Sequence, residues 1–157
     1  MSIIRSVTPA DINEWLRMRS ALWPDGSAAQ HRQDIDRYFA GDRREPAEVL
    51  LALTTNLAPL GFAELSIRNI VDSCTTDRVA YLEGWYVVPE SRRKGIGRAL
   101  IQAAEQWAIS QNCMEFGSDS DIDNDVSHAA HLRSGFEETG CVRTFRKQLG
   151  RSDEGGT

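Results

Sequence analysis

The residues that most plainly invite chemistry lie together at Arg92-Arg93-Lys94-Gly95-Ile96-Gly97-Arg98. A strand-like run ending Val87-Val88-Pro89 enters this basic turn, and the turn opens directly into an amphipathic helical pattern. The first N–H groups of a helix have no intrahelical partners, and the helix dipole adds about half a positive charge there. Gly95 and Gly97 let an anion approach the backbone, while Arg92, Arg93, Lys94 and Arg98 add positive charge. The spacing therefore describes a cradle for a phosphate or pyrophosphate, and Ile96 begins the helix behind it. Spacing alone also admits a basic loop whose glycines merely permit the turn.

Two familiar nucleotide motifs fit poorly. The GxxxxGK[ST] loop is absent, and Leu100 stands where the dinucleotide fingerprint needs its third glycine. Glu115 does fall about 20 residues after Gly95, where an acid would meet a ribose, but three basic residues precede the first glycine. The acidic loop from Asp119 through Asp121, Asp123 and Asp125 alternates like a calcium loop. However, Asn124 replaces its glycine and Ala130 its final glutamate, so calcium is not expected. His128 and His131 have no third ligand at suitable spacing, and no metal is assigned. The loop is read as an acidic wall for a cationic substrate, against the plainer reading of a solvated charged loop.

These groups need elements to hold them. Ile3 to Val7 reads as a first strand, and Thr8-Pro9-Ala10-Asp11 as a capped helix start whose helix stops at Trp23-Pro24-Asp25-Gly26. His31, Ile35, Tyr38 and Phe39 mark one face of a second helix. Glu48–Thr54, Gly61–Arg68 and Val79–Val88 are strand-like, Ile96–Gln111 is a strong helix, and Met114–Ser118 is a short strand. A helix from about Val126 to Ser134 follows, then one or two last strands within Phe136–Leu149. Residues 1–150 are expected to form one α/β (α+β) domain, with 151–157 a frayed polar tail.

At 157 residues with 41% hydrophobic and 26% charged residues, the chain is long enough for one real core. Eighteen Lys+Arg against 23 Asp+Glu give a net charge of −5, which disfavours general nucleic-acid binding and suits a small cationic partner. Cys74, Cys113 and Cys141 are odd in number and form no CxxC pair, so they read as thiols in a reducing compartment. No apolar run approaches the ~20 residues that span a bilayer, and no signal peptide is evident, so a cytoplasmic protein with no membrane partner is expected.

Arg92-Arg93-Lys94-Gly95-Ile96-Gly97 resembles the (Q/R)-x-x-G-x-(G/A) signature of the GNAT N-acetyltransferases, and it follows a strand ending Val-Val-Pro as theirs often does. His131-Leu132-Arg133-Ser134-Gly135-Phe136-Glu137 is similar to their second signature, in the right order. Leu22-Trp23-Pro24, Ser66-Ile67-Arg68, Leu82-Glu83-Gly84, Ser118-Asp119 and Gly135-Phe136-Glu137-Glu138-Thr139 narrow the resemblance to the aminoglycoside 6'-N-acetyltransferases. The resemblance implies a mixed central sheet with helices on both faces and splayed strands forming an acetyl-CoA cleft. It also implies transfer of an acetyl group from acetyl-CoA to an amino group of an aminoglycoside.

By that resemblance Glu83 binds the substrate ammonium and takes its proton, directly or through water. Trp23 and Asp119 join Glu83 in holding the substrate. Backbone groups of Tyr86, Val87 and Val88, within the stretch from Trp85, bind pantetheine and the oxyanion. The turn from Arg92 to Arg98 grips the diphosphate. Asn124 accepts a coenzyme A hydrogen bond, or else caps the helix beginning near Val126. His131 stands where many relatives carry a general-acid tyrosine. Ile70 or Val71 and Gly140 replace a tyrosine and a glutamate that close relatives have, leaving room for another polyamine or a protein amine as acceptor. A non-catalytic acyl-CoA-binding module is the remaining alternative. Relatives are often homodimers, and the run Cys141 to Lys147 reads either as a strand shared between copies or as the last strand of a monomer's sheet.

Overall fold

Apolar residues fill nearly every position of Glu48–Thr54, the pattern of a strand covered on both sides. In the computed structural model, which describes residues 2–150, this run is β2 of a five-stranded sheet. β1 (Ser2–Ser6), β2, β3 (Pro59–Arg68) and β4 (Val79–Val87) pair antiparallel in chain order, and β5 (Phe116–Ser118) pairs parallel with β4. Val49, Leu51 and Leu53 pack with Trp15 and Met18 of α1 (Ile12–Leu22) and with Ile35 and Tyr38 of α2 (Ala28–Phe39). Leu50 and Ala52 pack on the other side with Leu100, Ile101 and Ala104 of α3 (Ile96–Ser110). Helices thus cover both faces, as the family resemblance implied.

The caps explain where the helices begin. The Asp11 carboxylate accepts from the Thr8 N–H and hydroxyl, and a single 3-10 turn, Pro9–Asp11, precedes α1. Ser27 accepts the Gln30 N–H at the start of α2, and Asn124 accepts the Ser127 N–H at the start of α4 (Asp125–Arg133).

Apart from a register shift between Ala52 and Leu53 where β2 meets β3, the sheet departs from regular pairing along β4, in two places. β4 and β5 pair only at Ala80–Phe116, Tyr81–Gly117 and Leu82–Ser118, so beyond Leu82 the outer edge of β4 is open. β3 and β4 also lose register between Glu64 and Leu65: Glu64 faces Gly84, Leu65 faces Leu82, and Glu83 has no partner. Glu83 is therefore the extra residue of a β-bulge.

One expectation is overturned. Phe136–Leu149 forms no strand in the described residues. Phe136 packs on Phe116, but Val142, Phe145 and Leu149 are exposed. Alternation makes a strand only where a sheet edge accepts it, and here the run pairs with none. The expected tail at 151–157 lies outside the described residues. Among the described residues no helix is long and apolar enough to cross a membrane.

Candidate active site

The basic turn has the geometry of an anion cradle, and its two glycines serve different ends. Gly95 lies at φ +83° with open space around it, so it is needed for its backbone conformation. Gly97 gives room: a Cβ there would press to 3.2 Å from the Trp85 ring, whose Nε1–H donates to the Gly97 carbonyl. The N–H groups of Arg93, Lys94 and Gly95 donate to no backbone carbonyl among the described residues. Those of Ile96, Gly97 and Arg98 begin a helix and have no intrahelical acceptor. Arg92 is turned away from this group: its Nε donates to the Val87 carbonyl at 2.8 Å and its guanidinium lies over Tyr86. Arg93, Lys94 and Arg98 are left to supply the cradle's charge.

Register decides which backbone groups of β4 face the open edge. The Val88 N–H donates to the Leu60 carbonyl, so alternation turns Tyr86 and Val88 toward β3 and turns Trp85 and Val87 outward. Of the expected trio, Val87 turns its N–H to the cleft, while its carbonyl already accepts from Arg92. Tyr86 is turned to β3, Val88 gives its N–H to the Leu60 carbonyl and its own carbonyl to the Ser91 N–H, and Trp85 takes the second outward position.

The bulge does more than interrupt pairing. In an unbroken strand Glu83 and Gly84 would point to opposite faces. Here Leu82 packs toward α3, while both Glu83 and Gly84 meet the α1 side: Glu83 lines a recess with Trp23, and the Trp23 ring lies over Gly84. A Cβ at position 84 would sit 2.6 Å from that ring. Trp23 is held from behind as well. His31 Nε2–H donates to the Trp23 carbonyl, the only sense a carbonyl allows, so His31 Nδ1 accepts from Arg19. Arg19 also lies 4.9 Å from the Trp23 ring centroid.

The recess, about 250 Å³, is lined by Arg19, Trp23, Glu45, Pro46, Glu64 and Glu83. Its three carboxylates have different conditions. Glu64 is 2% exposed and accepts from Trp15 Nε1 and Arg19 Nε at 3.1 and 2.8 Å; burial pushes its carboxyl up, against Arg19. Glu83 is held by both arms of Arg68, at 3.0 and 2.8 Å. Glu45 is exposed at the rim. A larger neighbouring recess of about 470 Å³ carries Arg19, Arg37 and Arg44 against Asp34, Asp42 and Glu45. Its arginines would repel a polycation, so the smaller recess is the better acceptor site.

Asp119 reaches the same neighbourhood by another route. It accepts a hydrogen bond from the hydroxyl of Tyr81, whose ionisation is pushed up by burial and then by Asp119. The Arg68 guanidinium lies 3.6 Å over the Tyr81 ring. Glu83 and Trp23 thus share the recess, Asp119 is linked to Glu83 only through Tyr81 and Arg68, and Glu45, Glu64, Arg68 and Tyr81 join them without having been singled out by sequence. An acid inside the apolar run Gly61–Leu65 was one signal for Glu64, since a buried carboxylate needs a cation.

The other candidates fall into place. Asn124 uses its side-chain oxygen to cap α4, the plainer of its two roles. His131 donates through Nδ1 to the Ser127 carbonyl and meets Ser118 Oγ through Nε2 at 2.7 Å, beside the Trp85 ring. Glu115 anchors the loop at Thr75 and Thr76, and hydrogen bonds from Thr76 first of all hold its carboxyl at about 2; no dinucleotide ribose acid is needed to explain it. No group of three or more metal-ligating side chains is gathered among the described residues.

Comparison with known proteins agrees with this geometry. Aminoglycoside N(6')-acetyltransferase type 1 of Klebsiella aerogenes is 48% identical over 147 residues, 94% of this chain and 97% of the relative. The enzyme of that name from Stenotrophomonas maltophilia is 38% identical over 93% of each chain. Among solved structures, aminoglycoside 6'-N-acetyltransferase AAC(6')-Ih from Acinetobacter baumannii superposes with a TM-score of 0.86 at 38% identity, covering 96% of this chain and 100% of that one. AAC(6')-Iy in complex with the bisubstrate analog CoA-S-monomethyl-acetylneamine gives 0.87 at 31% identity, over 95% and 99%. Residues 15–136 match the acetyltransferase (GNAT) family itself, and with the cradle, the open β4 edge and the bulge in one cleft, this chain belongs to that family of acetyl-CoA-dependent acyltransferases.

Proposed function

We propose that residues 1–150 form one aminoglycoside 6'-N-acetyltransferase domain, acting on a cationic amino sugar and conferring resistance to such antibiotics. The observation that carries this reading is the bulge at Glu83, which turns a carboxylate and the glycine under Trp23 toward one recess beside the cradle. The names of the relatives agree with it.

In the reaction, the diphosphate of acetyl-CoA rests on the N–H groups of Arg93 to Arg98 and its pantetheine follows the outward backbone of Trp85 and Val87. The thioester then lies beside the acceptor recess. An ammonium of the sugar binds Glu83 while further amines meet Asp119 and Glu45, and Trp23 packs against a ring. Only the free amine attacks, so its proton passes to Glu83 or to a water that Glu83 holds. The nitrogen bonds to the carbonyl carbon, the carbon–sulfur bond breaks, and coenzyme A leaves as a thiolate that takes up a proton. Outward N–H groups at the β4 edge stabilise the oxyanion between these steps.

Acetyl-CoA with kanamycin or tobramycin is expected to release free thiol, and Glu83→Ala is expected to lower turnover by about tenfold or more with coenzyme A binding retained. Unchanged turnover removes Glu83 from the mechanism. A panel including spermidine and an N-terminal peptide tests a second reading, favoured by Ile70, Val71 and Gly140: an acetyltransferase of other amines. Tight coenzyme A binding with no transfer to any amine would instead mark a binding module.

We further propose a homodimer acting in the reducing cytoplasm. Support for pairing comes from the exposed Val142, Phe145 and Leu149 in a run without strand partners, and the free thiols Cys74, Cys113 and Cys141 fit that compartment. Light scattering is expected to give twice the chain mass, and the pair of changes Val142→Lys and Phe145→Lys to return a monomer. A wild-type monomer would sink the dimer.

A further inference from the structure

Arg68 stands where a substrate cation would be expected. It is the last residue of β3 and lies opposite Val79. Its side chain runs diagonally across the sheet face, places its guanidinium carbon 3.6 Å above the Tyr81 ring, and closes a two-armed fork on Glu83. Tyr81 in turn donates to Asp119. A single cation therefore touches one acceptor carboxylate directly and braces the aromatic ring that anchors the other.

The Arg68 side chain is 39% exposed and that of Glu83 is 16% exposed. The arginine side of the pair is open to water, so this is not a fully buried ion pair on which the core depends. Its geometry has a further consequence. An ionised carboxylate offers about four lone-pair sites, and a two-armed guanidinium uses one on each oxygen. The fork thus fixes the plane of the Glu83 carboxylate and leaves only its far sites for an incoming amine. A lysine could supply the charge but could not fix the plane.

We propose that Arg68 is a positioning residue of the acceptor site: its fork on Glu83 and its stacking on Tyr81 set the orientation and spacing of the Glu83 and Asp119 carboxylates that receive a polycationic substrate. The proposal rests on the acetyltransferase reading above and adds to it the group that orders the acceptor side. It applies to acceptors carrying two or more amines, since those alone must satisfy both carboxylates at once.

The test is a cycle of wild type, R68M, E83Q and the double variant, with R68K alongside, following thiol release from acetyl-CoA with kanamycin. R68M is expected to lower kcat/KM for kanamycin by about tenfold, mainly through kcat, with the KM for acetyl-CoA changed by less than about twofold. R68K recovers only part of that loss. In the E83Q background R68M costs less than about twofold more, because its route of action is already gone. A purely structural role would instead lower both substrates' constants together and would add fully to E83Q. Either that additivity, or kcat/KM for R68M within about twofold of wild type, overturns the proposal. Should R68M fail to fold by circular dichroism, R68K and R68Q carry the same cycle. Wild type inactive with every amine would defeat the acetyltransferase reading instead. Calorimetry of tobramycin binding then still decides on Arg68: R68M weakening binding in the wild-type but not the E83Q background upholds it, and equal weakening in both rejects it.

Discussion

The two walls of the cleft are built on opposite plans. The acetyl-CoA side is made of backbone: outward groups of β4 at Trp85 and Val87, and the unpaired N–H groups of the turn into α3, with Gly95 and Gly97 clearing the way. The acceptor side is made of side chains, nearly all already engaged. Glu83 holds Arg68, Glu64 holds Arg19 and Trp15, and Asp119 holds Tyr81. The difference follows from the ligands. Every acetyl-CoA presents the same diphosphate and pantetheine, which main-chain amides can meet at fixed spacing. A polyamine presents charges that a flexible carboxylate would follow anywhere, so pairing each acid in advance gives that side its shape.

If the walls are independent, changes on one should leave the other's constants alone. The largest effect is expected at Gly84→Ala, whose methyl group would collide with Trp23: kcat/KM for the aminoglycoside should fall by about a hundredfold, with the KM for acetyl-CoA nearly unchanged. A parallel rise in both constants would show the walls to be one unit. Gly95→Ala forces an alanine to φ +83° and should raise the KM for acetyl-CoA by about tenfold while sparing the aminoglycoside KM. Tyr81→Phe removes the bond to Asp119 and should weaken the aminoglycoside by about fivefold, read as KM. The smallest change belongs to a pair outside the cleft, Arg5–Asp11. Hydrogen bonds from Arg5, before other causes, hold the Asp11 carboxyl at about 2. The folded value lies below the unfolded one, so this stabilisation is present above about pH 4 and is lost as pH falls toward 2. Asp11→Asn should therefore cost about 1 kcal/mol at neutral pH, less in acid, with both KM values untouched; a thermal melt across pH checks it.

The same contrast governs what the sequence could reveal. The cradle is contiguous, and its glycines, basic residues and following helix lie in one stretch that local rules can interpret. The helix start at Thr8-Pro9-Ala10-Asp11 and the strand-like run Glu48–Thr54 are local in the same sense. The acceptor wall depends on pairs far apart in the chain, Arg68 with Glu83 and Tyr81 with Asp119, and on a bulge whose presence no composition announces. Parity along β4 is invisible for that reason: without the register, nothing separates Val87 from Tyr86 and Val88. Phe136–Leu149 fails differently, since its alternation reads as a strand although a strand needs a neighbour as well as a pattern.

The Trp23 ring resting on Gly84 limits how such an enzyme can adapt. The floor beneath the indole is already the smallest residue there is, so evolution has nothing left to trim from the strand. More room for a bulkier sugar must come from the indole itself or from the end of α1 that carries it. That end is wired through Arg19 to the buried Glu64 and through His31 to α2. A variant that broadens its drug range by this route would therefore also loosen its interior, and would need compensating changes elsewhere to stay folded.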